Sequence, residues 1–160
     1  MDLVLWRHAE ALDLPEAQDS AEAYRLDLER PLTGRGQKHA ARIAAWLDRQ
    51  LGDTARILVS PALRCEQTAL NLGRKFKTCE ALAPGASAQD LLQAAQWPHA
   101  KFPVLVVGHQ PTLGQAAAQL LGLARSEVSI RKGSLWWLRH RVRDGQPQTV
   151  LMTVQTPELL

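Results

Sequence analysis

"LVLWRHAEA", Leu3 to Ala11, sets an arginine beside a histidine directly after four apolar residues. A run this short and this apolar reads as a buried strand. A strand that ends by delivering Arg7 and His8 together serves chemistry rather than packing. Two later stretches repeat the form. "ILVSPALRCEQTA", from Ile57, closes a strand at Arg56–Val59 on Ser60 and places Arg64 in the first turn of a helix opening at Ser60-Pro61. "VLVVGHQP", from Val104, closes a strand at Phe102–Val107 on Gly108-His109, just before a helix that starts at Pro111.

Helical patterns fill the intervals. From Thr33, the residues Ala40, Ile43, Ala44, Leu47 and Leu51 form one apolar stripe that stops at Gly52. The helix after Ser60 carries Cys65, Ala69, Leu72 and Phe76 on one side, and another runs from about Ser87 to Trp97. The helix from Pro111 presents Leu113, Ala116, Ala117, Leu120 and Leu121. At the end of the chain, strand-like Ser134–Val142 and Thr149–Val154 are joined through Asp144-Gly145, a hairpin signal. Strands alternating with helices and closing on a hairpin predict a three-layer α/β/α sandwich with a mostly parallel central sheet. With 160 residues and no repeat, linker or low-complexity tract, residues 1–160 are expected to form a single domain.

The composition narrows the function. A 46% hydrophobic and 22% charged chain is ordinary for a globular protein. A net charge of +3 and pI near 9.2 are too mild to call for nucleic acid. The basic run Arg139–Arg143 reads as the polar face of a hairpin strand. No stretch suggests a membrane span or a signal peptide. Cys65 and Cys79 show no metal or C-x-x-C spacing, and Asn71 and Gly85 stand where a cysteine phosphatase would need arginine. A reducing cytoplasm is the expected location. His39, His99 and His140 have no ligand spacing, and the acidic stretch from Glu10 to Glu29 reads as a solvated loop.

Ligands of open α/β sheets sit beyond the carboxyl ends of the strands. That rule brings Arg7, His8, Arg64 and His109 to one rim. Arginine forks match phosphate oxygens and stay charged, and Arg64 lies at a helix N-terminus that favours anions. Neighbouring cations should depress His8 and keep its imidazole nucleophilic. His109, facing a dianion, should be pushed up and donate to the group in transfer. Such a cluster suits phosphoryl transfer without a metal or other cofactor.

Taken in order, "LWRHAEA", "RPLTGRGQ", "SPALRCEQTA" and "VVGHQP" resemble the motifs of the histidine phosphatase superfamily, the phosphoglycerate-mutase-like fold. The short chain and the R-P-L-T segment are most similar to SixA-type phosphohistidine phosphatases. The resemblance implies that His8 becomes phosphorylated, that Arg7 and Arg64 bind phosphoryl oxygens, and that His109 stabilises the transition state. Arg30 either touches the outer phosphate or substrate, or forms a structural salt bridge. Ala9 replaces the usual glycine.

The general acid of ester-hydrolysing relatives comes from a longer connection than Lys77–Lys101 offers. Glu80 is a better candidate here than Asp90, and is equally readable as an ordinary strand-end carboxylate. Imidazole can leave already protonated, with a pKa of about 6.5, whereas an alkoxide needs a donor. The expected function is therefore a phosphohistidine phosphatase, monomeric, acting on a phosphohistidine-bearing protein. The alternatives are a phosphomonoesterase acting on a small metabolite and a phosphate-binding module without catalysis.

Overall fold

In the computed structural model, which describes residues 1–160, the alternation of strands and helices becomes a six-stranded sheet covered on both faces. Strands β1 (Asp2–Arg7), β2 (Arg56–Val59), β3 (Lys77–Thr78) and β4 (Val104–Gly108) are parallel and lie in the order β3-β2-β4-β1. The hairpin of β5 (Leu135–Arg143) and β6 (Gln146–Gln155) extends the sheet antiparallel from β1. Helices α1 (Ser20–Leu28), α2 (Gly34–Gln50), α3 (Leu63–Leu70), α4 (Ala88–Ala94) and α5 (Thr112–Leu120) complete the chain.

Side-chain alternation divides the core into two layers. Val104 and Val106 point to one face and pack with Leu3, Leu5, Leu91 of α4 and Leu113 of α5. Leu105 and Val107 point to the other and pack with Val4, Trp6, Ile43 and Leu47 of α2, and Cys65 of α3. Both faces of β4 are thus dry, which is why its sequence is a continuous apolar run rather than an alternating one. Each fully buried Val, Leu or Ile contributes about 1.5–3 kcal/mol relative to exposure, so these strands are firmly anchored.

The hairpin turn uses Asp144 at φ 53° and Gly145 at φ 75°, the paired positive φ that a two-residue turn matching strand twist requires. Register slips between Trp137 and Leu138, which pair with Thr153 and Leu151 and leave Met152 as a bulge. No helix is long and apolar enough to cross a membrane.

Several expectations need correction. The strand expected from Phe102 begins at Val104, and the helix expected to carry Leu72 and Phe76 ends at Leu70. Residues 10–29 are not all loop, because α1 occupies Ser20–Leu28. Asp19 caps it by accepting from the Glu22 amide at 2.8 Å, while a Glu22 carboxylate oxygen accepts from the Gln18 amide. The helix after β2 begins at Leu63 rather than at Ser60-Pro61, and Ala62 caps it without a side-chain bond. Ser60 is engaged elsewhere.

Candidate active site

Strand register brings the site together. Arg7 pairs with Gly108, so His8 and His109 are the next residues on adjacent strands, and the His8 amide donates to the Gly108 carbonyl at 3.2 Å. Val59 pairs with Val107, and the Ser60 amide donates to the Val107 carbonyl at 3.0 Å. Three strand ends therefore deliver His8, His109 and Ser60 to one spot. The two imidazole rings lie 5.4 Å apart, and both are almost completely buried.

Hydrogen bonds fix both tautomers. His8 Nδ1 lies 2.7 Å from the Ala9 carbonyl, which can only accept, so Nδ1 holds the proton and the Nε2 lone pair is exposed to reaction. His109 Nδ1 faces Arg64 Nη2 at 3.3 Å, and guanidinium can only donate. Nε2 of His109 therefore carries its proton and donates to Ser60 Oγ at 2.7 Å, which also accepts from the Ala62 amide.

The arginines are held just as closely. Arg7 Nη1 donates to the Ile130 carbonyl at 2.9 Å. Arg64 Nη1 donates to the Asp27 carbonyl at 2.6 Å and Nη2 to the Asp27 carboxylate at 3.0 Å. Thr68 links helix to strand by donating to the Arg64 carbonyl and accepting from the Ala9 amide. The Nε atoms of Arg7 and Arg64 are buried without a protein acceptor. An unmet buried donor costs about 1–3 kcal/mol, so both guanidinium groups have hydrogen-bonding capacity suited to an oxyanion.

Electrostatics keep the imidazoles neutral. Burial holds His8 well below its ordinary value, and His109, Arg64 and Arg7 push in the same direction against the Ala9 bond. Burial, then Arg64, takes His109 down to about 3, with Asp27 opposing. Cys65 Sγ lies 3.5 Å from His109 Nε2, but burial pushes the thiol up to about 12, which leaves no thiolate to act as nucleophile.

The other candidates sit differently. Arg30 forms an ion pair: Nη1 bonds Asp27 at 2.9 Å and Nε donates to the Leu12 carbonyl at 2.6 Å. Glu80 lies in a 3-10 turn at Glu80–Leu82, exposed, its carboxylate without a hydrogen bond or ion pair. Asp90 closes a capping box with Ser87. No group of three or more His, Cys, Asp or Glu side chains gathers as metal ligands would.

Two members of the cluster escape the sequence reading. In the sequence Ser60 reads as a helix cap, and Asp27 as part of a loop. The Asp19…Glu22 spacing, a cap followed three residues later by glutamate, is the signal that would have revealed α1. Gly36 has a clearer reason than motif membership: a Cβ there would meet the Glu10 carbonyl at 2.1 Å, so only glycine lets α2 close against the loop after His8.

Comparison with known proteins agrees with this arrangement. Residues 3–84 match the model of the histidine phosphatase superfamily, branch 1. The chain is 33% identical to the phosphohistidine phosphatase SixA of Escherichia coli over 75% of this chain and 74% of that one. It is 29% identical to a SixA homolog of Haemophilus influenzae over 98% and 97%. Among solved structures it resembles the protein histidine phosphatase SixA complexed with tungstate, with a TM-score of 0.71, 25% identity and 99% of each chain covered. The fold is thus the phosphoglycerate-mutase-like α/β sandwich. With residues 3–84, which include Arg7, His8 and Arg64, matching the family model, the chain belongs to the histidine phosphatase superfamily and is a phosphatase.

Proposed function

We propose that this enzyme removes the phosphoryl group from phosphohistidine on a protein, by way of a phosphorylated His8. The observation that carries the reading is the state of the carboxylates. Asp27 is the one carboxylate bonded into the cluster, and it is tied to both Arg64 and Arg30, which hold it below its ordinary pKa although burial opposes them. A carboxylate so held is a poor proton donor. An imidazole leaving group can dispense with one, because it departs carrying its own proton.

His8 Nε2 attacks phosphorus while the bond from phosphorus to the substrate imidazole breaks. Water then attacks phospho-His8, releasing phosphate and restoring the free imidazole. Arg7 and Arg64 hold the phosphoryl oxygens through both steps. A dianion beside His109 raises its pKa; the added proton goes to Nδ1, because Nε2–H is already given to Ser60, and Nδ1 then donates to the group in transfer. The SixA relative solved in complex with tungstate, a tetrahedral oxyanion, supports this use of the cluster.

The test is a trapping experiment with labelled phosphoramidate. An acid-labile, base-stable label on His8, lost in His8→Ala along with at least about 1,000-fold of the turnover, is the expected result. Ester hydrolysis that exceeds phosphohistidine hydrolysis and disappears in Glu80→Gln would assign the enzyme to small phosphate esters instead. Phosphate binding without any trapped label would make it a binding module.

A further inference from the structure

Arg7 belongs to more than the imidazole cluster. It also lines an open cleft of about 510 Å³ together with Glu10, Arg35, Arg131, Lys132 and Glu158, and no apolar side chain contributes to the lining. The charges there are unequal in their commitments. Glu10 accepts from Arg35 and from Thr33 Oγ1, and Glu158 accepts from Thr156 Oγ1. These bonds hold both carboxylates ionised, below their ordinary values. Arg131 and Lys132 are exposed and enter neither an ion pair nor a side-chain hydrogen bond; they act on Glu158 and Glu10 only at longer range, and with Arg7, Arg35, Arg131 and Lys132 set against those two carboxylates the cleft keeps a net positive charge.

That charge stands at a fixed offset from His8. The Gly133 amide donates to the His8 carbonyl at 3.0 Å, and the Gly133 carbonyl accepts from Trp6 Nε1 at 3.0 Å. On either side, the Arg7 amide donates to Ser134 and its guanidinium to Ile130. The loop bearing the two cations is therefore stapled to the strand that bears His8.

Small-molecule sites are concave, largely apolar and enclose most of their ligand. This cleft is open and polar, which suits a solvated charge presented by a second protein, recognised by complementarity. We propose that Arg131 and Lys132 dock an acidic side chain that the substrate protein carries beside its phosphohistidine. The proposal rests on the phosphohistidine-protein reading above and adds the selection of substrate to it.

The experiment uses two peptides, identical except that Asp and Glu flank the single histidine in one and Asn and Gln in the other, both phosphorylated by phosphoramidate. The parent enzyme is expected to favour the acidic peptide by about ten-fold in kcat/KM at low salt, as two exposed ion pairs would give. The ratio should fall toward one in R131Q/K132Q and in 0.5 M salt, about where screening lengths shrink below 5 Å, and should survive in R131K. Because the readout is a ratio of two substrates on one protein, loss of folded enzyme does not imitate it. A ratio near one in the parent, or one unchanged in R131Q/K132Q, overturns this proposal alone. Turnover of phosphate esters with neither peptide dephosphorylated overturns the phosphohistidine reading, and this proposal with it.

Discussion

Two regions meet at Arg64, the strand-end cluster and the helix α1, and they are held in place by different forces. Leu3, Val4, Leu5 and Trp6, the strand behind His8, are wholly buried between two helical layers. No residue of α1 is buried, and its bonds to the cluster are made by Asp27 alone, to Arg64 and to Arg30. Hydrophobic burial therefore fixes the imidazoles, whereas the helix that steadies one guanidinium is held by the charge of Asp27 and by one partly buried core contact, Leu28. The first arrangement tolerates little; the second is a tether.

Stability should separate the two regions most sharply. Leu5→Ala is expected to lose about 2–5 kcal/mol, while Tyr24→Ala, on the exposed side of α1, should stay within about 0.5 kcal/mol of the parent in urea unfolding. Equal losses would erase the contrast.

Acid should then act on the strand ends. His8 and His109 are both held below the ordinary imidazole value of about 6.5, so the unfolded chain binds protons that the folded chain refuses. Stability is full above about pH 6.5 and falls as pH drops below it, by up to about 1.4 kcal/mol per pH unit for each histidine. Urea midpoints at pH 7.5 and 5.0 measure this loss, and His109→Gln should remove part of it. A midpoint independent of pH over that range would contradict the buried neutral pair.

The smallest effect probes the tether. Asp27→Asn keeps the shape of the side chain but removes the charge that holds Arg64. It should lower kcat on phosphoramidate by about ten-fold with KM within two-fold, and let a protease cut α1 sooner. A rise in KM with kcat unchanged would instead place Asp27 in substrate binding.

The same contrast explains what the sequence disclosed. Apolar runs such as Val104–Val107 announce buried strands, and parallel register then dictates that the residues after Arg7, Val59 and Gly108 converge. His8, Arg7, Arg64 and His109 were legible for that reason. Asp27 was not, because an ion pair between residues 37 apart leaves no periodic trace. Ser60 was visible but misassigned, since a serine before a proline-led helix looks like a cap until the histidine that claims its hydroxyl is seen. Arg30 is open between two roles in the sequence, and nothing there points to Asp27, with which it forms an ion pair.

The hairpin has a practical consequence. β5 is bonded to the N-terminal segment only as far as His140, which exchanges hydrogen bonds with Met1, yet it stays paired with β6 out to Arg143 and Gln146. Its tip is a two-stranded ribbon overhanging the pole of the molecule opposite the imidazoles. A reporter or affinity handle spliced between Asp144 and Gly145 would hang from that pole, leaving the approach of a folded guest to the reactive end unshadowed.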